Sequence, residues 1–174
     1  MTEKEDPRML KFTLALVNRL FPLEEASAHC DVPCGIYDPH YAQIAALTVV
    51  RMNQLIEAME PPAMEKAARD NYMHALSRYT AAKEEAAELV KHEVRIIRGD
   101  FFKPDNSPDN IGEITDGIMK TASKARQNID AEAANKLLDL VNDFAAAFWT
   151  AKGVKTKKQS SNQAAGGEFV VPAE

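Results

Sequence analysis

Apolar positions recur at helical period over most of the chain, in runs separated by proline- and glycine-bearing breaks. One run opens at Asp38-Pro39, a helix-start pair with Asp38 as N-cap and Pro39 at the first helical position. Tyr41, Ile44, Thr48, Met52, Leu55 and Met59 follow at helical spacing as its expected inward stripe, and Pro61-Pro62 ends it. A second helix is predicted from near Pro62 to about Arg98, with Tyr72, Leu76, Tyr79, Ala82, Ala86, Leu89, Val90 and Ile97 on its stripe and Gly99 as C-terminal cap. Residues 100–109 read as loop. A third helix starts at Ser107-Pro108 and turns Ile111, Ile114, Ile118 and Ala122 inward. A fourth has Asp130 as N-cap and Ala134, Leu137, Leu138, Val141, Phe144 and Phe148 as its apolar face. Four helices with short connections predict an all-α fold, an antiparallel, up-and-down four-helix bundle over residues 38–152.

The two ends of the chain break this pattern. Residues 1–8 are polar, and the apolar run from Met9 to Phe21 is closed by Pro22. Ala26-Ser27-Ala28 then has the small-x-small form of a cleavage site. A secretory signal fits poorly, because Asn18 and Arg19 interrupt the apolar run and the charges near the start balance. Residues 1–28 therefore read as a leader removed by a dedicated protease, with export to the periplasm as the alternative if 1–28 acts as a signal. From Gly153 onward the composition turns to Lys, Gln, Ser, Asn and Gly, and 153–174 is expected to be a flexible tail.

Composition narrows the partners. The 174 residues suit one domain, and 45% apolar content is enough to bury a core. A net charge of −5 disfavours nucleic acid and anionic membrane surfaces. No apolar run reaches the length of a membrane-spanning helix. The Lys83-Glu84-Glu85 and Lys155-Thr156-Lys157-Lys158 runs read as solvated charge, and His40, His74 and His92 as surface or core residues without a ligand pattern.

The chemistry concentrates in one stretch, His29-Cys30-Asp31-Val32-Pro33-Cys34-Gly35-Ile36-Tyr37. Both cysteines of the protein lie in it, four positions apart. Their thiolates are soft ligands that can converge on one ion from a compact turn shaped by Pro33 and Gly35. His29, Cys30 and Cys34 make one donor fewer than a closed tetrahedral zinc site needs. If the chain begins at His29, its free α-amine and the deprotonated amide of Cys30 add two nitrogens. Amine, amidate and two thiolates then form a planar set that suits nickel(II) or copper(II), with the His29 imidazole within reach of an axial position. A cut between Ala28 and His29 would thus complete the ligand set. A Cys30–Cys34 disulfide is the competing reading.

The stretch resembles the nickel hook of the nickel-containing superoxide dismutases, in which His-Cys-Asp-x-Pro-Cys-Gly-x-Tyr is the pattern. Asp100-Phe101-Phe102-Lys103-Pro104 is similar to that family's Asp-aromatic-Phe-Lys-Pro segment, and Phe148-Trp149-Thr150-Ala151-Lys152 to its Phe-Trp-x-x-Lys segment. The resemblance implies a superoxide dismutase that cycles one nickel ion per subunit between Ni(II) and Ni(III), yielding O2 and hydrogen peroxide. It implies His29, Cys30 and Cys34 as metal ligands, with Asp31 hydrogen-bonded within the hook, Tyr37 bounding the substrate pocket and Lys103 near its mouth. It also implies a four-helix bundle carrying the hook (29–37) at one end, assembly into a homohexamer, and a propeptide; the compartment expected is the cytoplasm.

Two departures stand out. Phe101 falls where some members carry tyrosine. Ala45 and Ala86 fall where better-studied members carry a glutamate and an arginine that orient the axial histidine. These alanines are the one feature favouring a non-catalytic nickel-binding protein, and a helical interaction domain with an oxidised loop is a third possibility.

Overall fold

The computed structural model describes residues 35–173. The leader, the expected cut after Ala28, and His29, Cys30, Asp31 and Cys34 lie outside the described residues. Four helices follow in order: α1 (His40–Glu57), α2 (Lys66–Ile96), α3 (Ile111–Gln127) and α4 (Ala131–Ala151). Each packs against its neighbours in sequence, and α4 closes the ring against α1. This is the expected antiparallel bundle.

Helix starts follow local chemistry. The Asp38 carboxylate accepts from the backbone N–H of His40 at 2.8 Å, so it caps α1 while the buried Pro39 begins it. Asp130 accepts from the Ala133 N–H at 2.8 Å and caps α4. On α4 the whole expected stripe is buried, from Ala134 through Leu137, Leu138, Val141 and Phe144 to Phe148. Ile111, Ile118 and Ala122 of α3 meet it, with Ile114 half-buried beside them.

The inward face of α1 is not the predicted one. Tyr41 and Ile44 are exposed, whereas Ala42, Ala45, Ala46, Val49, Val50 and Ile56 are buried. Small side chains let α1 sit close to its neighbours, and the large apolar residues that drew the expected stripe fall on the outer flank. Two amides, Gln43 and Asn53, are buried with the alanines. Lys83, read as solvated, is only 3% exposed, and its ammonium donates to the carbonyl of Asn128. Gly99 does not cap α2. The helix passes into a π-helical turn, Ile97–Phe101, which closes with the Phe102 N–H on the Ile97 carbonyl at 3.4 Å.

The expected flexible tail is instead an antiparallel hairpin, β1 (Thr156–Ser160) paired with β2 (Glu168–Pro172) from Thr156↔Pro172 to Ser160↔Glu168. Phe169 and Val170 are buried against the bundle. Asn142 of α4 donates to the Glu168 carbonyl at 2.9 Å and accepts from the Val170 N–H at 3.2 Å. Gln43 of α1 donates to the Val170 carbonyl at 3.0 Å. The outer backbone edge of β2 is thus satisfied by buried amides, while β1 carries exposed Lys157 and Lys158, residues that discourage edge pairing. A polar composition misled the reading because two amides, rather than a large apolar face, hold the strand.

Candidate metal centre

Gly35, Ile36 and Tyr37 are the described part of the hook. Gly35 has φ +82°, a left-handed conformation that glycine adopts without strain, in keeping with the turn expected after Cys34. The chain then reaches Tyr37, whose half-buried ring packs on Phe101 with centroids 6.4 Å apart. Asp38 and Pro39 start α1 directly afterwards, so the hook springs from the first turn of a rigid helix.

Phe101 is the hinge of this end of the bundle. Its ring lies 4.5 Å from that of Phe148 and 5.1 Å from that of Phe102, and Phe102 in turn packs on Phe144 at 5.7 Å. Phe148 stacks edge-on with Trp149 at 5.0 Å, and the Lys152 ammonium sits 5.1 Å above the Phe148 ring. The three stretches singled out in the sequence therefore converge through one aromatic chain, Tyr37–Phe101–Phe148–Trp149. The π-helical turn is what brings Phe101 and Phe102 round together onto α4.

Lys103 is exposed, with its ammonium donating to the Gly99 carbonyl at 3.3 Å. Its position is set by Asn106, a residue the sequence reading passed over. The Asn106 side chain accepts from the Lys103 N–H at 2.7 Å and donates to the Phe101 carbonyl at 3.2 Å. An asparagine between two prolines was the available signal, since this side chain commonly braces turns.

Asp100 is the other feature of the turn. Its Oδ2 is buried and has no hydrogen-bond partner. Ala45 and Ala86 are both buried in the core, where neither can offer a polar group to anything nearby. Among the described residues no group of three His, Cys, Asp or Glu side chains is placed to hold a metal, and no helix is long and apolar enough to cross a membrane. The donor set suited to nickel is that of the hook, two soft thiolates with nitrogen donors beside them, and its ligand residues lie outside the described residues. A cleft of about 600 Å³ between α1 and the hairpin turn, lined by His40, Ile44, Arg51, Asn162 and Phe169, contains none of the predicted site residues.

Comparison with known proteins accords with this geometry. The family model described as nickel-containing superoxide dismutase matches residues 24–152. The chain is 34% identical over 140 residues to the superoxide dismutase [Ni] of Streptomyces seoulensis, covering 79% of this chain and 98% of that one. It is 34% identical over 141 residues to that of Streptomyces coelicolor, with the same coverage. Among solved structures, native nickel superoxide dismutase superposes with TM-score 0.60 at 31% identity, over 71% of this chain and 99% of that one. A nickel superoxide dismutase with oxidised-state nickel ligation gives 0.61 at 31%, over 72% and 99%. The matched span ends at Lys152, so the docked hairpin lies beyond it. On its sequence and its fold, the chain belongs to the nickel-containing superoxide dismutase family.

Proposed function

We propose that this chain disproportionates superoxide at a nickel ion held by Cys30, Cys34 and His29, after cleavage between Ala28 and His29 frees the amine. The observation that carries this reading is the meeting of Tyr37, Phe101 and Phe148 at one end of the bundle, which seats the base of the hook on an aromatic platform. What bound nickel supplies is a one-electron couple: one superoxide gives up an electron and leaves as O2, and a second takes it up and leaves with two protons as hydrogen peroxide.

The chain's own residues set the conditions. Thiolates from Cys30 and Cys34 bring the metal's potential into range for both half-reactions. Tyr37, supported by Phe101, bounds the approach to the metal. Asp31 hydrogen-bonds within the hook. Exposed Lys103 adds positive charge at the same end of an otherwise acidic protein and draws the anionic substrate there. Phe101 contributes no hydroxyl, so solvent contact at this rim falls to Tyr37.

Assembly into a homohexamer is part of the reading. Exposed Met64, Met73 and Leu89 on and beside α2, and Tyr41 and Ile44 on α1, support burial between subunits. The cytoplasm is the proposed compartment, with neither nucleic acid nor membrane as partner. A non-catalytic nickel-binding role is the second reading, favoured by the uncharged Ala45 and Ala86. The test is dismutase activity against nickel occupancy in protein beginning at His29. Activity proportional to bound nickel supports catalysis; full occupancy without activity supports the second reading.

A further inference from the structure

The cleft of about 600 Å³ beside α1 has the size of a small-molecule site. One wall is α1 and the other is the hairpin, which lies beyond the span matched to the family. Its lining is largely apolar: Leu47 and Phe169 are buried, with Ile44 and Val171 beside them. The His40 ring meets Phe169 edge-on at 5.3 Å. The hairpin turn, 161–167, is held in shape by its own bonds. Ser161 donates its hydroxyl to the Gly166 carbonyl at 2.6 Å, and its backbone N–H donates to the Gly167 carbonyl at 3.0 Å. Asn162 takes φ +54°, a left-handed conformation uncommon outside glycine. A wall fixed in this way costs little ordering when a ligand arrives.

Charge decides what the cleft can take. Among the described residues that line it, none is Asp or Glu, although the chain carries 26 of these against 21 Lys and Arg. Arg51 is the one Lys or Arg among them, and it is half-buried. It has no carboxylate partner among the described residues. Its guanidinium donates to Gln54 Oε1 at 3.3 Å, and Gln54 in turn donates to the Ala165 carbonyl of the turn at 3.1 Å. This relay ties the arginine to both walls and leaves most of its five N–H groups unused. A guanidinium in this state pairs with a carboxylate through two parallel hydrogen bonds. The cleft of about 770 Å³ beside α4 differs in sign, because Asp105 and Asp143 line it and repel anions.

We propose that the cleft between α1 and the hairpin binds a medium-chain fatty acid, its carboxylate on Arg51 and its chain along Ile44, Leu47, Phe169 and Val171. An uncharged apolar molecule would cover Arg51 without giving it a partner. A small inorganic anion would leave the apolar lining in water. A ligand that touches α1 and the hairpin together also stabilises the docked hairpin, because it binds the folded state only.

The test is calorimetric titration of the full assembled protein with octanoate, 1-octanol and acetate, and of R51Q with octanoate. Melting curves show whether R51Q is folded, and the comparison of octanoate with octanol needs no variant. The expected result is one octanoate per chain, bound about tenfold or more tighter than octanol or acetate, and an equal loss of octanoate affinity in R51Q. Octanoate should also raise the melting temperature of the parent and slow hydrogen exchange in residues 161–167. R51Q should keep the dismutase rate per bound nickel, since the proposal does not involve the metal. Octanol binding as tightly as octanoate overturns the proposal, as does unchanged affinity in R51Q. Absence of octanoate binding overturns it too, including the case in which a neighbouring subunit fills the cleft.

Discussion

Gln43 of α1 donates its amide N–H to the Asn142 side-chain oxygen of α4 at 2.8 Å, and both residues are buried. Together they also hold β2, so one polar pair joins two helices and a strand that lies 127 residues away from Gln43 in sequence. Replacing Gln43 with leucine leaves the Val170 carbonyl without its donor. Each orphaned buried group costs about 1–3 kcal/mol. Q43L should lower the urea midpoint accordingly and raise hydrogen exchange at the Val170 amide. A midpoint equal to the parent's would show that the pair does not secure the hairpin.

Gly167 tests the same docking by shape. It has φ +78°, and a Cβ there would lie 3.0 Å from Leu138 Cδ2 and 3.2 Å from Leu47 Cδ1. Alanine is strained both in backbone and in space, and overpacking of this kind costs about 1–3 kcal/mol. G167A should melt earlier while keeping its dismutase rate per bound nickel, because the hairpin lies outside the family-matched span.

These two residues also show where the sequence was legible. The caps Asp38 and Asp130 and the α4 stripe declare themselves locally, because each depends on partners two to four residues away. The hook and the two aromatic motifs were equally plain as patterns. The α1 face was misjudged because Ala42, Ala45 and Ala46 carry little apolar weight, although they let the helices approach. The hairpin was missed because its hold on the bundle depends on Gln43 and Asn142, far away in the chain. Only Gly166-Gly167 before Phe169-Val170-Val171 hinted at a turn and a strand. The meeting of Tyr37 with Phe101 needed the π-helical turn, which no glycine or proline pattern announces.

Asp130 predicts an acid-sensitive helix start. The Lys124 ammonium, 2.8 Å away, and the Ala133 N–H hold its carboxyl below the usual carboxylate range. A carboxyl lowered in the folded state contributes stability that is present above its unfolded pKa and lost as pH falls through the folded value. The parent should therefore lose more stability than D130N as pH falls below the ordinary value of 3.8. Parallel melting curves for the two proteins across that window would contradict this.

Lys83 predicts a trend of the same sign in alkali. Burial pushes its ammonium below the ordinary value of 10.5, partly offset by Glu84. The unfolded chain then binds more protons than the folded one between the lowered value and 10.5, so stability rises with pH across that interval. K83M should abolish the rise. At neutral pH it should be no less stable than the parent, since the exposed Asn128 can give its carbonyl to water. A large destabilisation at neutral pH would show that the Lys83–Asn128 bond outweighs the cost of burying the ammonium.

The central claim is that cleavage before His29 completes a nickel site built from the first residues of the mature chain. Native mass spectrometry of protein produced in nickel-supplemented cells, alongside the Cys30→Ser and Cys34→Ser variants, tests it most directly. The account predicts chains that begin at His29, each heavier by one nickel, and metal-free chains when either cysteine is replaced. A full-length chain from Met1 that carries stoichiometric nickel, or a serine variant that keeps it, would contradict the account.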